Sequence, residues 1–294
     1  MTARVLLSFH FHSHTDIDRL FDLVPTEVDL FGDSGAFSAY TTGATIDIDA
    51  YAAWLHKWKH LMHAYVTLDA IGDNPTTHRN QRALESMGLA PLPVFHGAEP
   101  WEALESYCEE YPYVALGGMV GRNSMPWIVK AFQIGAKYGT VFHGFGQTKR
   151  PILRALPWYS VDSSSWGRGH RYGVLNVWDP GKQKFVLIAA GNREAVYKNA
   201  ALIRDHGGDP AILAIENVGQ TRFRGQATAT AERHHIIQMN VEAWRRSEQL
   251  ISSRHYPVRR RDTADVGPRL YLAAGGFEDA VVCAGGQYEP VNRH

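Results

Sequence analysis

The sequence predicts an α/β protein, a (β/α)8 TIM-type barrel with a β-hairpin insertion and a C-terminal helical and irregular extension. Three observations carry that expectation. Seven short apolar runs alternate with amphipathic stretches between Val5 and Val161, the rhythm of parallel strands joined by right-handed helical crossovers. Glycines and polar residues gather after these runs rather than before them, where barrels and doubly wound sheets place their sites. No Gly-x-Gly-x-x-Gly follows the first run and no Walker lysine loop occurs, so a nucleotide-cofactor sheet loses its main support.

In chain order, Val5–Phe9 opens as a buried strand and Asp29–Phe31 is the second, ended by Gly32. Asp49 is read as the cap of a helix whose apolar positions, Tyr51, Trp54, Leu55, Trp58, Leu61 and Met62, follow the 3.6-residue period. Ala64–Leu68 is the third strand. Asn74-Pro75 then starts a helix that Gly88 terminates. Leu92–Phe95 leads to a helix beginning at Glu99-Pro100, and Tyr113–Leu116 to one through Ile128, Val129 and Phe132 that Gly139 stops. Thr140–Phe142, a helix over 147–155 and Tyr159–Val161 complete the series. Beyond Gly169, 172–178 and 185–190 read as a hairpin about a Pro-Gly turn. A helix over 192–206 and the run Ala211–Ile215 follow, and either the hairpin or that run could supply the closing strand. Residues 228–255 read as a helix and the last 35 as short irregular elements. The expected division is a catalytic barrel over 1–225 and a helix with a basic extension over 226–294, packed on it.

With 294 residues, 45% of them hydrophobic, the chain has ample material for a core. Two cysteines, Cys108 and Cys283, form neither a disulfide framework nor a thiolate zinc cluster. No run approaches the ~20 apolar residues of a membrane span, and the N-terminus lacks a signal-peptide pattern, so a soluble cytoplasmic protein is expected. The formal net charge of zero hides an asymmetry: residues 1–120 carry 6 Lys/Arg against 16 Asp/Glu, and residues 121–294 carry 24 against 14. A solvated surface explains this blandly; a polyanion partner for the second half is the sharper alternative. Lys149, Arg150, Arg154, Arg168 and Arg171 bracket Asp162, and a second basic run surrounds Arg259-Arg260-Arg261.

Asp33 and Asp162 are the most informative pair. Each stands where an apolar run breaks into small residues, and strands of one barrel deliver such carboxylates to a common mouth. Asp69, His96-Gly97, Gly117-Gly118 and His143-Gly144-Phe145-Gly146 end other runs in the same manner. Taken singly, Asp33 reads equally as a turn or cap residue, and so does Asp69. The ordered set is harder to obtain from turn chemistry, and glycines there let a flat ligand lie against backbone.

This order of strand ends resembles the tRNA-guanine transglycosylase superfamily. The similar positions are Asp33-Ser34-Gly35-Ala36-Phe37, against that family's Asp-Ser-Gly-Gly-Phe; Asp69; Val94-Phe95-His96-Gly97, where the family has glutamine before glycine; Leu116-Gly117-Gly118; Gly144-Phe145-Gly146; and Val161-Asp162-Ser163. The likeness spans roughly residues 5–166. It implies exchange of guanine for a 7-deazaguanine through a covalent sugar–enzyme intermediate, with Asp162 as nucleophile on C1′ and Asp33 as general acid/base. Asp69 would accept from the Watson–Crick edge of the purine, and Gly117 and Gly118 would present backbone to it. Ser34, Gly35, His96, His143, Gly144, Phe145 and Gly146 would complete the substrate pocket. Two in-line displacements at one carbon preserve configuration and need no metal or redox cofactor, and one carboxylic acid can protonate the departing base and deprotonate its replacement. Lys149, Arg150, Arg168 and Arg171 would hold phosphates beside the extruded nucleotide.

The tRNA enzymes carry a cysteine-rich zinc motif that this chain lacks, and they are longer. Both departures look more like the DNA-modifying branch, the DpdA-type transglycosylases of phages and bacterial islands. The implied partners are therefore DNA, or alternatively tRNA, and a base such as preQ0. The tRNA enzymes also commonly pair up as homodimers; this sequence leaves oligomeric state open.

Two rival readings remain at this level. His10-Phe11-His12 follows the first strand, and His-x-His there puts two imidazoles on one side, as in metal-dependent amidohydrolases, with His96, His143 and Asp162 able to complete a metal centre. Alternatively His10 and His12 line the mouth without metal. A non-catalytic nucleic-acid binder would account for the charge asymmetry but not for convergent carboxylates, which are costly to desolvate without a purpose.

Overall fold

A computed structural model describes residues 2–25, 27–119, 125–167, 173–215, 231–252 and 268–286. Eight strands form one parallel sheet in the order β3-β2-β1-β10-β7-β6-β5-β4. They are β1 Ala3–Ser8, β2 Val28–Asp33, β3 Met62–Tyr65, β4 Val94–Phe95, β5 Tyr113–Leu116, β6 Val141–Gly144, β7 Ser160–Ser163 and β10 Arg269–Ala274. The sheet curls until its two edges meet at a parallel bridge between Val66 and Leu92. There Thr67 N donates to Leu92 O (3.0 Å) and Leu92 N to Tyr65 O (2.8 Å). This is the TIM-type α/β fold expected from the alternation.

The two faces of the strands build two cores. Val5, Leu7, Leu30, Val114, Leu116, Phe142, Val161 and Leu272 belong to the large cluster shared with the surrounding helices. Leu6, Phe31, Val66, Val94, Ala115 and Tyr271 form a separate cluster inside the barrel, as the two-residue alternation of a strand requires. Inward positions on β2 therefore read Asp29, Phe31, Asp33 from one end of the barrel to the other. The sequence thus sets polar groups at both ends of an apolar waist.

Local structure departs from expectation in several places. The helix Ile48–Trp58 is capped by Asp47, whose Oδ1 accepts from Ala50 N at 2.8 Å, and not by Asp49, which lies in its first turn. Asp73 caps Asn74–Ser86, one residue ahead of the expected Asn74, with Pro75 in the first turn. The hairpin is as expected, β8 Val174–Asp179 against β9 Lys184–Ala189, antiparallel. The helix read over 192–206 breaks at Asn199 into Arg193–Lys198 and Ala200–Asp205.

The largest correction concerns barrel closure. Ala211–Ile215 is no strand: Asp209 caps a helical turn, Pro210–Leu213, by accepting from Ala211 N at 2.8 Å. The hairpin stays outside the barrel as a two-stranded sheet. The closing strand is β10, which pairs with β7 on one side and β1 on the other. It comes from the stretch expected to be irregular, followed by a helix, Phe277–Cys283. A boundary at 225 therefore does not separate barrel from extension.

Residues 173–215 and 231–252 instead form an insertion between β7 and β10. Its own cluster includes Leu175, Val177, Ile188, Val196, Ile203, Leu213, Ile236 and Met239. The helix Ala231–Ser252 joins the two bodies, since Ile236 and Met239 face the insertion while Ile237, Val241 and Trp244 pack into the main core. Among the described residues no helix is long and apolar enough to cross a membrane.

Candidate active site

The C-terminal ends of the strands converge on one mouth, and three carboxylates meet there. Asp33 ends β2. The next residue but one, Gly35, takes a left-handed conformation (φ 76°), and a Cβ built on it would lie 2.5 Å from His10 Cβ. Glycine is required there by both conformation and space. The turn lets Gly35 N donate to Asp33 Oδ2 at 3.1 Å, while Ser34 is buried with its Oγ accepting from Ala36 N. Burial first, then the charges of Asp162 and Asp69, push the Asp33 carboxyl up to about 7, against the backbone N–H groups of Gly35 and Ser34 that favour its ionised form.

Asp162 lies on β7 and is 8% exposed. Its Oδ1 accepts from Gly146 N at 2.7 Å and lies 3.5 Å from His143 Nε2. Gly146 is left-handed (φ 60°), which turns its N–H toward the carboxylate. No described residue donates a hydrogen bond to Oδ2. One oxygen is tethered and the other is not.

Asp69 follows β3. Its Oδ2 is 3.3 Å from His96 Nε2 at the end of β4. On the other side, His96 Nδ1 is 3.4 Å from Glu99 Oε1, which also accepts from His96 N at 2.7 Å. Burial alone would lower the imidazole pKa, but hydrogen bonding to Asp69 and Glu99, with their charges, raises it to about 10. His96 is thus an imidazolium held between two carboxylates. Asp69 Oδ1 is buried and without a hydrogen-bond partner, an acceptor awaiting a donor.

The glycines make this arrangement possible. A Cβ on Gly117 would lie 2.7 Å from His96 Nε2, and one on Gly144 would lie 2.5 Å from the Trp158 ring. Gly117 N is already bonded to Phe95 O at 2.9 Å within the barrel, so that N–H is not presented to a ligand; the residue instead makes room for His96. Gly118 is left-handed (φ 67°) beside it.

The structure brings together Asp33, Ser34, Gly35, Asp69, His96, Gly117, Gly118, His143, Gly144, Phe145, Gly146 and Asp162. It separates the basic residues. Lys149 is exposed near the mouth, but Arg150 stacks on Trp178 of the hairpin, 4.0 Å from its ring centroid. That is a structural contact between barrel and insertion rather than an open phosphate site. Arg154 reaches Gln183 Oε1 at 2.7 Å. Arg168, Arg171 and Arg259–Arg261 lie outside the described residues.

The histidine pair after β1 does not form a metal site. His12 is buried with Nε2 at 3.2 Å from Ala274 O and Nδ1 at 3.3 Å from Thr15 Oγ1, so both ring nitrogens are engaged, and burial lowers its pKa. The short helix Phe9–His12 turns His10 and His12 apart, which an extended-strand reading of His-x-His does not anticipate. Among the described residues no group of three His, Cys, Asp or Glu side chains is placed to hold a metal ion.

Glu99 is the residue that the sequence reading used only as a helix start. Its signal was its place three positions after a strand-ending histidine. Set beside known proteins, the chain matches no family model, no curated protein and no solved structure. What fold and site define by themselves is a TIM-type α/β barrel with a carboxylate cluster at the C-terminal end of its strands.

Proposed function

We propose that the protein is a base-exchange transglycosylase that replaces guanine in DNA with a 7-deazaguanine such as preQ0. The observation that carries this reading is the division of labour between two carboxyl groups in one mouth. Asp33, held near neutral pH, can donate and accept a proton at working pH. Asp162 has Oδ1 tethered by Gly146 N–H, which leaves Oδ2 to attack.

In the first half-reaction Asp162 Oδ2 bonds to C1′, the bond from C1′ to the base breaks, and the Asp33 proton passes to a ring nitrogen of the departing guanine. In the second, Asp33 takes the N–H proton of the incoming base, whose nitrogen displaces the Asp162 carboxylate from C1′. Protons and electron pairs balance over the cycle, and the sugar keeps its configuration. Asp69 Oδ1 supplies the acceptor that the N–H edge of either base requires. The choice of DNA over tRNA rests on the absent cysteine-rich motif and the chain's resemblance.

The test incubates the protein with guanine-labelled DNA, and separately tRNA, with and without preQ0. Released guanine, and a slowly migrating protein–nucleic acid band on denaturing gels without preQ0, are expected with DNA. Release from tRNA alone would move the assignment to RNA. Neither band nor release with either polymer would end the transglycosylase reading.

A further inference from the structure

Below Asp162 a line of polar side chains runs into the barrel, and the reaction above uses none of it. His143 on β6 is completely buried. Phe31 stacks on its ring at 4.3 Å and 17°, and Phe145 meets it edge-on at 4.7 Å. Nδ1 lies 2.6 Å from Ser160 Oγ, which lies 2.5 Å from the Tyr113 hydroxyl. At the other end of the ring, Nε2 is buried without a hydrogen-bond partner, and Asp162 Oδ1 lies 3.5 Å from it.

The donor order in this line follows from its far end. Ser160 is the hydrogen-bond partner of the Tyr113 phenol among the described residues. Burial, chiefly, holds that phenol's pKa far above its ordinary value, so it stays protonated. A protonated phenol with one partner donates to it, since the reverse order would leave its own proton unsatisfied. Ser160 Oγ thus accepts from Tyr113 and spends its single proton on His143 Nδ1. The imidazole proton is left on Nε2, directed at Asp162.

We propose that His143 is the positioning residue of Asp162: an imidazole, its tautomer fixed by Ser160 and Tyr113, that aims Nε2–H at Oδ1 and attracts that oxygen across 3.5 Å. Together with the Gly146 N–H bond to the same oxygen, this attraction favours the carboxylate orientation that leaves Oδ2 for substrate. The tautomer stands on geometry alone; its kinetic consequence rests on Asp162 being the nucleophile.

The experiment has two arms. Long-range 1H–15N spectra of uniformly 15N-labelled protein at neutral pH report the histidine tautomers, with the His143 signals identified by their loss in His143→Gln. A neutral Nε2–H ring in the wild type, converting to a mixture in Ser160→Ala and in the milder Tyr113→Phe, is expected. An Nδ1–H ring, a doubly protonated ring, or a tautomer unmoved in both variants overturns the proposal. In the second arm, Tyr113→Phe and Ser160→Ala should lower kcat for guanine release roughly tenfold, as Nε2–H loses its aim and the carboxylate its orientation, with KM unchanged. His143→Gln, whose amide still donates, should retain more activity than His143→Ala. A fall in KM and kcat together, or equal loss in Gln and Ala variants, overturns the positioning role. A wild type that shows the Nε2–H tautomer but releases no guanine condemns the transglycosylase reading instead.

Discussion

The two ends of the barrel interior hold the same kinds of side chain and use them oppositely. At the N-terminal end, Arg4 lies 2.6 Å from Glu248 and 3.5 Å from Asp29, and Arg269 lies 4.0 Å from Asp29. Tyr271 donates to Asp29 at 2.9 Å, and Glu248 accepts from Leu270 N at 3.0 Å. Asp29 and Glu248 thus each meet both a cation and a donor. At the C-terminal end, Asp69 and Glu99 share the His96 imidazolium, and among the described residues no Lys or Arg forms an ion pair with Asp33 or Asp162. Matched charge at a buried site locks structure; unmatched charge leaves a carboxyl whose proton is loosely committed, which is what acid–base chemistry requires. The charge balance thus sets the two ends of this barrel apart, and the proposed chemistry falls at the unmatched one.

That contrast is broken most severely by removing the tethered carboxylate. Asp162→Ala should abolish both guanine release and the covalent adduct at any pH, a loss of roughly 10⁴-fold or more, while the fold persists. An adduct still formed by Asp162→Ala but missing in Asp33→Ala would reverse the two roles.

Asp33→Asn should slow exchange by about 10²–10⁴-fold, since an amide cannot shuttle a proton. It should also stabilise the protein, and the sign follows from linkage. A carboxyl raised from 3.8 to about 7 on folding stays protonated in the native state while it ionises in the unfolded one. Between these values the unfolded state binds fewer protons, so the wild type loses stability as pH rises. The advantage of the Asn variant should be absent near pH 3, grow up to about pH 7 and level off at up to about 4 kcal/mol. Urea unfolding at a series of pH values measures it; a difference independent of pH would show that Asp33 is not protonated in the native state.

Arg4→Met tests the opposite end. It leaves Glu248 and Asp29 short of a cation and should cost about 3 kcal/mol, with kcat per folded molecule unchanged. Reduced kcat at unchanged stability would mean that the two ends are not independent.

Legibility in the sequence followed the range of the interactions. Strand ends such as Asp33-Ser34-Gly35 and Gly144-Phe145-Gly146 advertise themselves, because a left-handed turn demands glycine locally. Ala211–Ile215 misled because an apolar run of that length suits a strand or a buried helical turn, and the adjacent Asp209-Pro210 decided between them. Arg269–Ala274 was missed because its role is set by partners more than 100 positions away, Val161 and Asp162 on one side and the β1 residues on the other. Likewise the clamp that Glu99 puts on His96 depends on how the helix after β4 begins, and the fate of His12 on a carbonyl at Ala274, near the other end of the chain.

The smallest expected effect separates two adjacent basic residues. Lys149 is exposed beside the mouth, and an exposed ammonium that meets a phosphate releases about one counterion. Lys149→Ala should therefore lower the slope of log K against log salt by about one for DNA binding, with modest loss of affinity. Arg150, stacked on Trp178, is committed to the contact between barrel and hairpin. Arg150→Ala should leave that slope unchanged and appear instead as a lower melting temperature, because a guanidinium over an indole contributes about 0.5–2 kcal/mol. Fluorescence anisotropy at four or five salt concentrations, paired with thermal melts, distinguishes them. Equal reductions in slope from both substitutions would mean that the Arg150 guanidinium leaves Trp178 for phosphate when nucleic acid binds. The basic surface would then be assembled on binding rather than standing ready.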